Sequence, residues 1–186
     1  MSPKPPARGR LLVATPSLGD PNFDRTVVLL LEHGADGALG VVLNRPGSPA
    51  MEVPLPDWRE RAAPPAVVFT GGPVAPSAAV GLARTDRSEE VEGWAPVIDR
   101  TGTVDLGRHP DELGVAVEAV RIFAGYAGWG GGQLEGEIEA GAWFVVAAEP
   151  GDAFSDRPEQ LWRLVLRRQA GRLAMFANAP TDPSVN

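Results

Sequence analysis

The chain has 186 residues, a formal net charge of −7 and no cysteine, a length that suits one domain able to bury a core without covalent staples. The missing thiols exclude disulfides, a thiolate nucleophile and cysteine-based metal sites. The acidic balance argues against direct nucleic-acid binding, which needs a basic surface facing phosphates.

The first eight residues hold three prolines and two basic side chains and read as a disordered tail preceding one domain over 9–186. MSPKPPARGR lacks the apolar centre of a secretory signal, and no apolar run approaches the ~20 residues of a membrane span. A cytoplasmic protein that avoids the membrane is the expectation. Leu11–Ala14 reads as a short strand. Pro16–Arg25 is a loop by its proline, glycine and aspartate content, either closed on itself by turns or forming one wall of a cleft. Val27–Leu31 is continuously apolar, as a strand covered on both faces would be. His33–Gly37 then turns into a second strand, Leu39–Leu43, so the two form a hairpin. Asn44 is placed to cap backbone, and Arg45 to meet a carboxylate of the preceding loop.

Prolines between Gly47 and Pro65 rule out a long helix but leave room for a short one at Asp57–Ala62, with Trp58 inward. Val67–Thr70 is a core strand. Gly71 and Gly72 after it permit close approach of a ligand or of a neighbouring strand. Val80–Ala83 is a strand of small residues, and Trp94–Leu106 carries two short strands around Thr101-Gly102. Pro110–Val117 reads as a helix opened by proline and acidic residues. Ile122–Tyr126 is a strand, and Gly125, Gly128, Gly130, Gly131 and Gly132 follow within eight positions. Glycine reaches positive φ without a steric clash, so the run permits a sharp change of direction. Leu134 and Ile138 then mark a short amphipathic helix, and Phe144–Ala148 another strand. Strand, glycine turn, helix, strand fits a parallel crossover. A last helix begins near Pro158, and Arg163, Arg167, Arg168 and Arg172 supply a local basic row.

The glycine turn is neither of the familiar nucleotide loops. Gln133 stands where a phosphate-binding lysine would be needed, and Gly128-x-Gly130-x-Gly132 misses the dinucleotide spacing. The catalytic inventory is thin: Lys4, His33, His109 and Tyr126 are the only residues of their types. Neither a zinc-binding histidine pair nor a Gly-x-Ser-x-Gly elbow is present. No metal and no cofactor are expected.

The block GYAGWGGGQLEGEI with Trp143 resembles the signature of the AlgH/YqgE family of bacterial proteins. GRLLVATPSLGDPNFDRTVVLLLEHGADGALGVVLNRP, FTGGPV and the closing DPSVN resemble the same family in order. Gly131 departs from it, standing where a proline is more usual. The resemblance implies a compact α/β domain and carries no established activity. The family's name reflects an association with regulating exopolysaccharide genes.

The expectation is therefore a single α/β domain, with a mixed sheet and helices on both faces in three layers. Two functions stay open. One is a regulatory module, with a possible transcription-related role, that binds a small molecule or a protein. The other is a hydrolase using carboxylates and backbone amides. The candidate ligand-binding residues are Asp20, Arg25, Asn44, Arg45, Gly71, Gly72, Gly128, Trp129, Gly131 and Gln133, drawn from four loops expected to converge at one sheet edge. The oligomeric state is open.

Overall fold

The structure, a computed structural model, describes residues 4–48 and 53–180. Nine strands form one sheet: β1 (Arg10–Ala14), β2 (Val27–Gly34), β3 (Gly37–Val42), β4 (Phe69–Thr70), β5 (Val74–Thr85), β6 (Trp94–Ile98), β7 (Thr101–Val104), β8 (Val117–Gly130) and β9 (Trp143–Ala147). Their spatial order is β6-β7-β5-β8-β3-β2-β1-β9, with β4 beside β8. The helices are short: α1 (Pro56–Arg59), α2 (Gln133–Glu139), α3 (Leu161–Arg167) and α4 (Arg172–Phe176).

This corrects the expected three-layer α/β fold. The sheet is a strongly curled, predominantly antiparallel half-barrel, and among the described residues the one parallel strand pair joins the two residues of β4 to β8. The continuous apolar runs misled because a curled sheet can bury both faces without layers of crossover helices. Alternate β1 residues separate cleanly. Leu11 and Val13 enter an inner core with Leu29, Phe69, Phe123 and α3. Leu12 and Ala14 face an outer core with Trp129, Trp143 and α2. A third cluster, around Trp58, Trp94 and Leu113, covers the far end of the sheet. The curl brings β6 back toward the start of β1. Arg8 donates to the Pro96 carbonyl at 2.7 Å, and a Cβ on Gly9 would lie 2.8 Å from the Val97 oxygen.

The expected crossover exists in a wider form. Four successive antiparallel pairings lead from β8 through β3, β2 and β1 to β9, so β8 and β9 point the same way with three strands between them. The expected helix at Pro110–Val117 is instead a single 3₁₀ turn, Pro110–Glu112. Gly114 follows it at φ 71°, and β8 has begun by Val117. Of the proline-rich tail, residues 1–3 lie outside the described residues, as do 49–52 and the DPSVN block.

β8 pairs with β5 along one edge and with β4 and then β3 along the other. The chain must therefore cross β8 between Thr70 and Val74, and it does so at Gly71 and Gly72. A Cβ on Gly71 would sit 2.3 Å from the Gly125 oxygen, and one on Gly72 would sit 2.2 Å from the Tyr126 carbonyl. Gly125 itself has φ 74°, a conformation costly for other residues. The close approach of a neighbouring strand, one of the two readings of the Gly71-Gly72 pair, is present here.

Gly71→Ala should therefore cost more than about 4 kcal/mol or prevent folding, since backbone must move. Gly128→Ala on the same strand should change stability by less than about 1 kcal/mol, because its nearest neighbour would be 3.6 Å away. Thermal or urea unfolding of the two variants checks the contrast; equal losses would contradict the crossing geometry.

Arg121 interrupts the apolar pattern of β8 and is 2% exposed. Its guanidinium donates to the carbonyls of Pro64 at 2.6 Å and of Ala153 and Ser155 at 3.0 Å each. It also lies 4.3 Å from the centre of the Phe69 ring. Burial pulls its pKa down to about 10, since the charged form loses hydration. Arg121→Met should lower stability by about 3 kcal/mol or more, because each stranded buried carbonyl costs ~1–3 kcal/mol. Denaturant unfolding reads this directly.

Candidate functional site

Three of the four candidate loops meet. Asn44 extends the β2–β3 ladder with its side chain. Its Oδ1 accepts from the Val27 amide at 2.9 Å, and its Nδ2 donates to the Arg25 carbonyl at 2.8 Å. That bond fixes Arg25, whose φ is 52°, a strained value for a non-glycine residue. Arg45 gathers the Asp20–Arg25 loop by donating to the carbonyls of Asn22, Pro21 and Asp24 at 2.6, 3.0 and 3.2 Å. It does not pair with the expected carboxylate. Asp20 turns inward on its own loop, accepting from the Asn22 amide at 2.9 Å. The Arg25 guanidinium stacks over Trp162 at 4.7 Å and donates to the carbonyls of Ala179 and Pro180.

The third loop joins through the Val42 amide, which donates to the Gly71 carbonyl at 2.8 Å. Asn22, Arg45, Thr70, Gly72, Pro73 and Val42 enclose a shallow depression of about 60 Å³.

The fourth loop lies elsewhere. Gly37 pairs with Gly130, so the glycine turn sits beside the β2–β3 hairpin tip, at the opposite end of β3 from Val42. Five residues of strand make a separation of roughly 17 Å. A Cβ on Gly131 would lie 2.7 Å from the Ala35 oxygen, so this glycine serves close packing against the hairpin. Gly128 is exposed on β8. Gln133 Oε1 accepts from the Gly130 amide at 3.0 Å, so that amide is engaged within the turn.

The turn is organised around a carboxylate. Glu137 Oε2 accepts from the indole nitrogens of Trp129 at 3.0 Å and Trp143 at 2.9 Å, while Oε1 accepts from Gln133 at 3.1 Å. The two indoles meet edge to face at 6.1 Å, and Phe23 reaches across from the first loop to touch both rings. Trp129 and Trp143 are buried, at 6% and 3% exposure. Beside this cluster His33 Nε2 lies 2.6 Å from Glu135 Oε1. The hydrogen bond from His33 holds the Glu135 carboxyl below the ordinary carboxylate range.

A family model described as AlgH-like matches residues 11–174. The chain belongs to the AlgH-like family. It is 56% identical over 182 residues to a UPF0301 protein of Streptomyces coelicolor, covering 96% of this chain and 94% of that one. A UPF0301 protein of Mycobacterium tuberculosis is 46% identical over 181 residues, with 96% and 90% covered. Among solved structures, a crystal structure from Corynebacterium diphtheriae aligns with a TM-score of 0.87 at 33% identity, covering 95% of this chain and 94% of that chain. The solution structure of AlgH from Pseudomonas aeruginosa aligns at 0.67 and 28%, with 98% and 100% covered.

In this AlgH-like chain sequence reasoning missed the parts played by Glu137 and Arg121. Glu137 carries little signal, because a glutamate on an amphipathic helix is common. Arg121 had one: a lone cation inside an apolar strand. A second concavity of about 400 Å³ lies at the far end of the sheet, lined by Glu90, Glu92, Trp94 and Asp105. Arg108 pairs with Glu92 and, at 3.5 Å, with Asp105. Among the described residues no three His, Asp or Glu side chains group as a metal site. The basic row is also engaged in part: Arg163 donates to the Ala177 carbonyl at 2.7 Å, and Arg168 pairs with Asp152 at 2.6 Å.

Glu137→Ala should leave both indole N–H groups without their acceptor and cost about 2–3 kcal/mol, with charge-assisted bonds worth ~1.5–3 kcal/mol. Trp129→Ala should cost about 3–5 kcal/mol as a buried aromatic. Unfolding midpoints of the two variants check both; a loss under about 1 kcal/mol for Trp129 would mean an exposed, ligand-facing ring.

Proposed function

We propose that this protein is a binding module rather than an enzyme, recognising a small ligand or a short segment of a partner where the first three loops meet. The observation that carries this is the use made of Asn44 and Arg45. Their side chains hold loop backbone in place and leave a preformed depression at their junction. Preorganised loops lower the ordering cost of binding. A regulatory part, exerted through a partner, rests on the family's association with gene control.

One observation favours a second reading, a hydrolase. His33 and Glu135 stand at hydrogen-bond distance, the arrangement that orients an imidazole base. Against it, neither residue lines either concavity described above.

Two measurements on the purified full chain separate the readings. A thermal-shift screen of metabolites should find a compound that raises Tm. A ligand at about a hundred times its Kd adds ~2.7 kcal/mol, roughly 5–10 °C for a chain of this size. Chromogenic esters and phosphoesters should show no turnover that depends on His33. Turnover abolished in His33→Gln would overturn the binding-module reading.

A further inference from the structure

The depression between the first three loops has a definite chemistry. Arg45 carries five N–H donors, and three of its contacts go to the carbonyls of Asn22, Pro21 and Asp24. Two donors are left over among the described residues. Among the described residues the guanidinium meets no carboxylate, although the chain as a whole has a net charge of −7. Gly72 is buried and lines the same space. Its amide finds no acceptor among the described residues, an uncommon state for a buried backbone donor. Thr70, on the same wall, is exposed and brings a hydroxyl. One cation, one free amide and one hydroxyl thus border a space with room for a few atoms.

The remaining walls are apolar. Pro73 and Val42 line the depression, and Val74, next in the chain, is 37% exposed, one of three large apolar side chains so exposed among the described residues. Ala75, Pro76 and Ala78 continue that exposed stretch. No second guanidinium lines the depression to balance a second negative charge.

We propose that the Arg45–Thr70–Gly72 depression binds the carboxylate of a small monocarboxylate, whose short apolar tail lies against Pro73 and Val74. The guanidinium and the Gly72 amide donate to the carboxylate oxygens, and the Thr70 hydroxyl supplies a third donor. A carboxylate carries one charge and matches the single cation; a phosphate dianion does not.

This proposal rests on the binding-module reading and names the ligand class for its site. The test is a titration of isotope-labelled full-length protein followed by amide and arginine Nε NMR resonances, at constant ionic strength with chloride as the balancing ion. Sodium acetate, butyrate and phosphate are the probes. Acetate and butyrate should produce saturable shifts at Thr70, Gly72 and the Arg45 Nε, with butyrate binding several-fold more tightly. Phosphate should bind more weakly than either. Thr70→Val keeps the shape and removes the hydroxyl, and should weaken butyrate about tenfold, the loss of ~1.4 kcal/mol expected for one hydrogen bond. Arg45 is kept intact because it also holds the loop. No saturation by about 100 mM, far above the range of a millimolar site, would overturn the proposal. So would tighter binding of phosphate, or unchanged affinity in Thr70→Val. Such a failure leaves the binding-module reading standing, whereas His33-dependent turnover removes that reading and says nothing of carboxylate binding.

Discussion

The crossing of two backbones at Gly71, Gly72 and Gly125 is the constraint on which the sheet depends. β8 is the one strand shared by both ends of the fold, and its Phe123 pairs with β4 on one side and β5 on the other. A chain that uses both edges of a strand in immediate succession must pass over it. The strand separation within a sheet, about 4.8 Å, leaves room for ordinary side chains; a backbone lying directly across another does not. Three residues without Cβ atoms make the passage possible, and the turn they permit delivers β5 antiparallel to β8. The curl of the sheet and the enclosure of the inner core follow from where β5, β7 and β6 then lie.

Buried polar groups fix this arrangement from within. Arg121 draws together three chain segments, the β8 strand, the Ala63–Pro64 turn and the Ala153–Ser155 turn, through carbonyl contacts. Its Nε finds no partner among the described residues, and burial depresses its pKa. Glu137 plays the corresponding part on the outer face, where one carboxylate orders two indoles and the first residue of α2. Arg121 is buried and Glu137 half-buried, and each is held by several directed hydrogen bonds rather than by one opposite charge. Such an arrangement costs desolvation but selects one geometry.

The same economy of polar groups bears on function. Loops carrying Asn44, Arg45 and Gln133 look equipped for recognition, yet most of their donors and acceptors close on the chain itself. At the junction of the first three loops, what remains open among the described residues is small: two donors of Arg45, the Gly72 amide and the Thr70 hydroxyl. Catalysis needs an acid–base pair facing a reacting substrate, and His33 and Glu135 line neither concavity. The proposed binding role rests instead on the shaped junction of the first three loops.

Local patterning determined much of this protein. The β1, β2 and β3 strands, the hairpin at His33–Gly37, the α2 helix behind its glycine turn and the family itself were legible, because periodicity, turn residues and motif order are properties of short segments. The fold class was not. Val27–Leu31 is equally apolar whether helices or a curled sheet cover it, and only long-range pairing decides between them. Nor could the four loops be sorted: whether Gly71 and Gly130 share a site depends on the register of β3, which places Val42 beside one and Gly37 beside the other. Arg45 was recognisable as a cation near acidic residues, but its choice of carbonyls over carboxylates is set by loop geometry. Tertiary structure decided these points because each is a distance between residues remote in sequence.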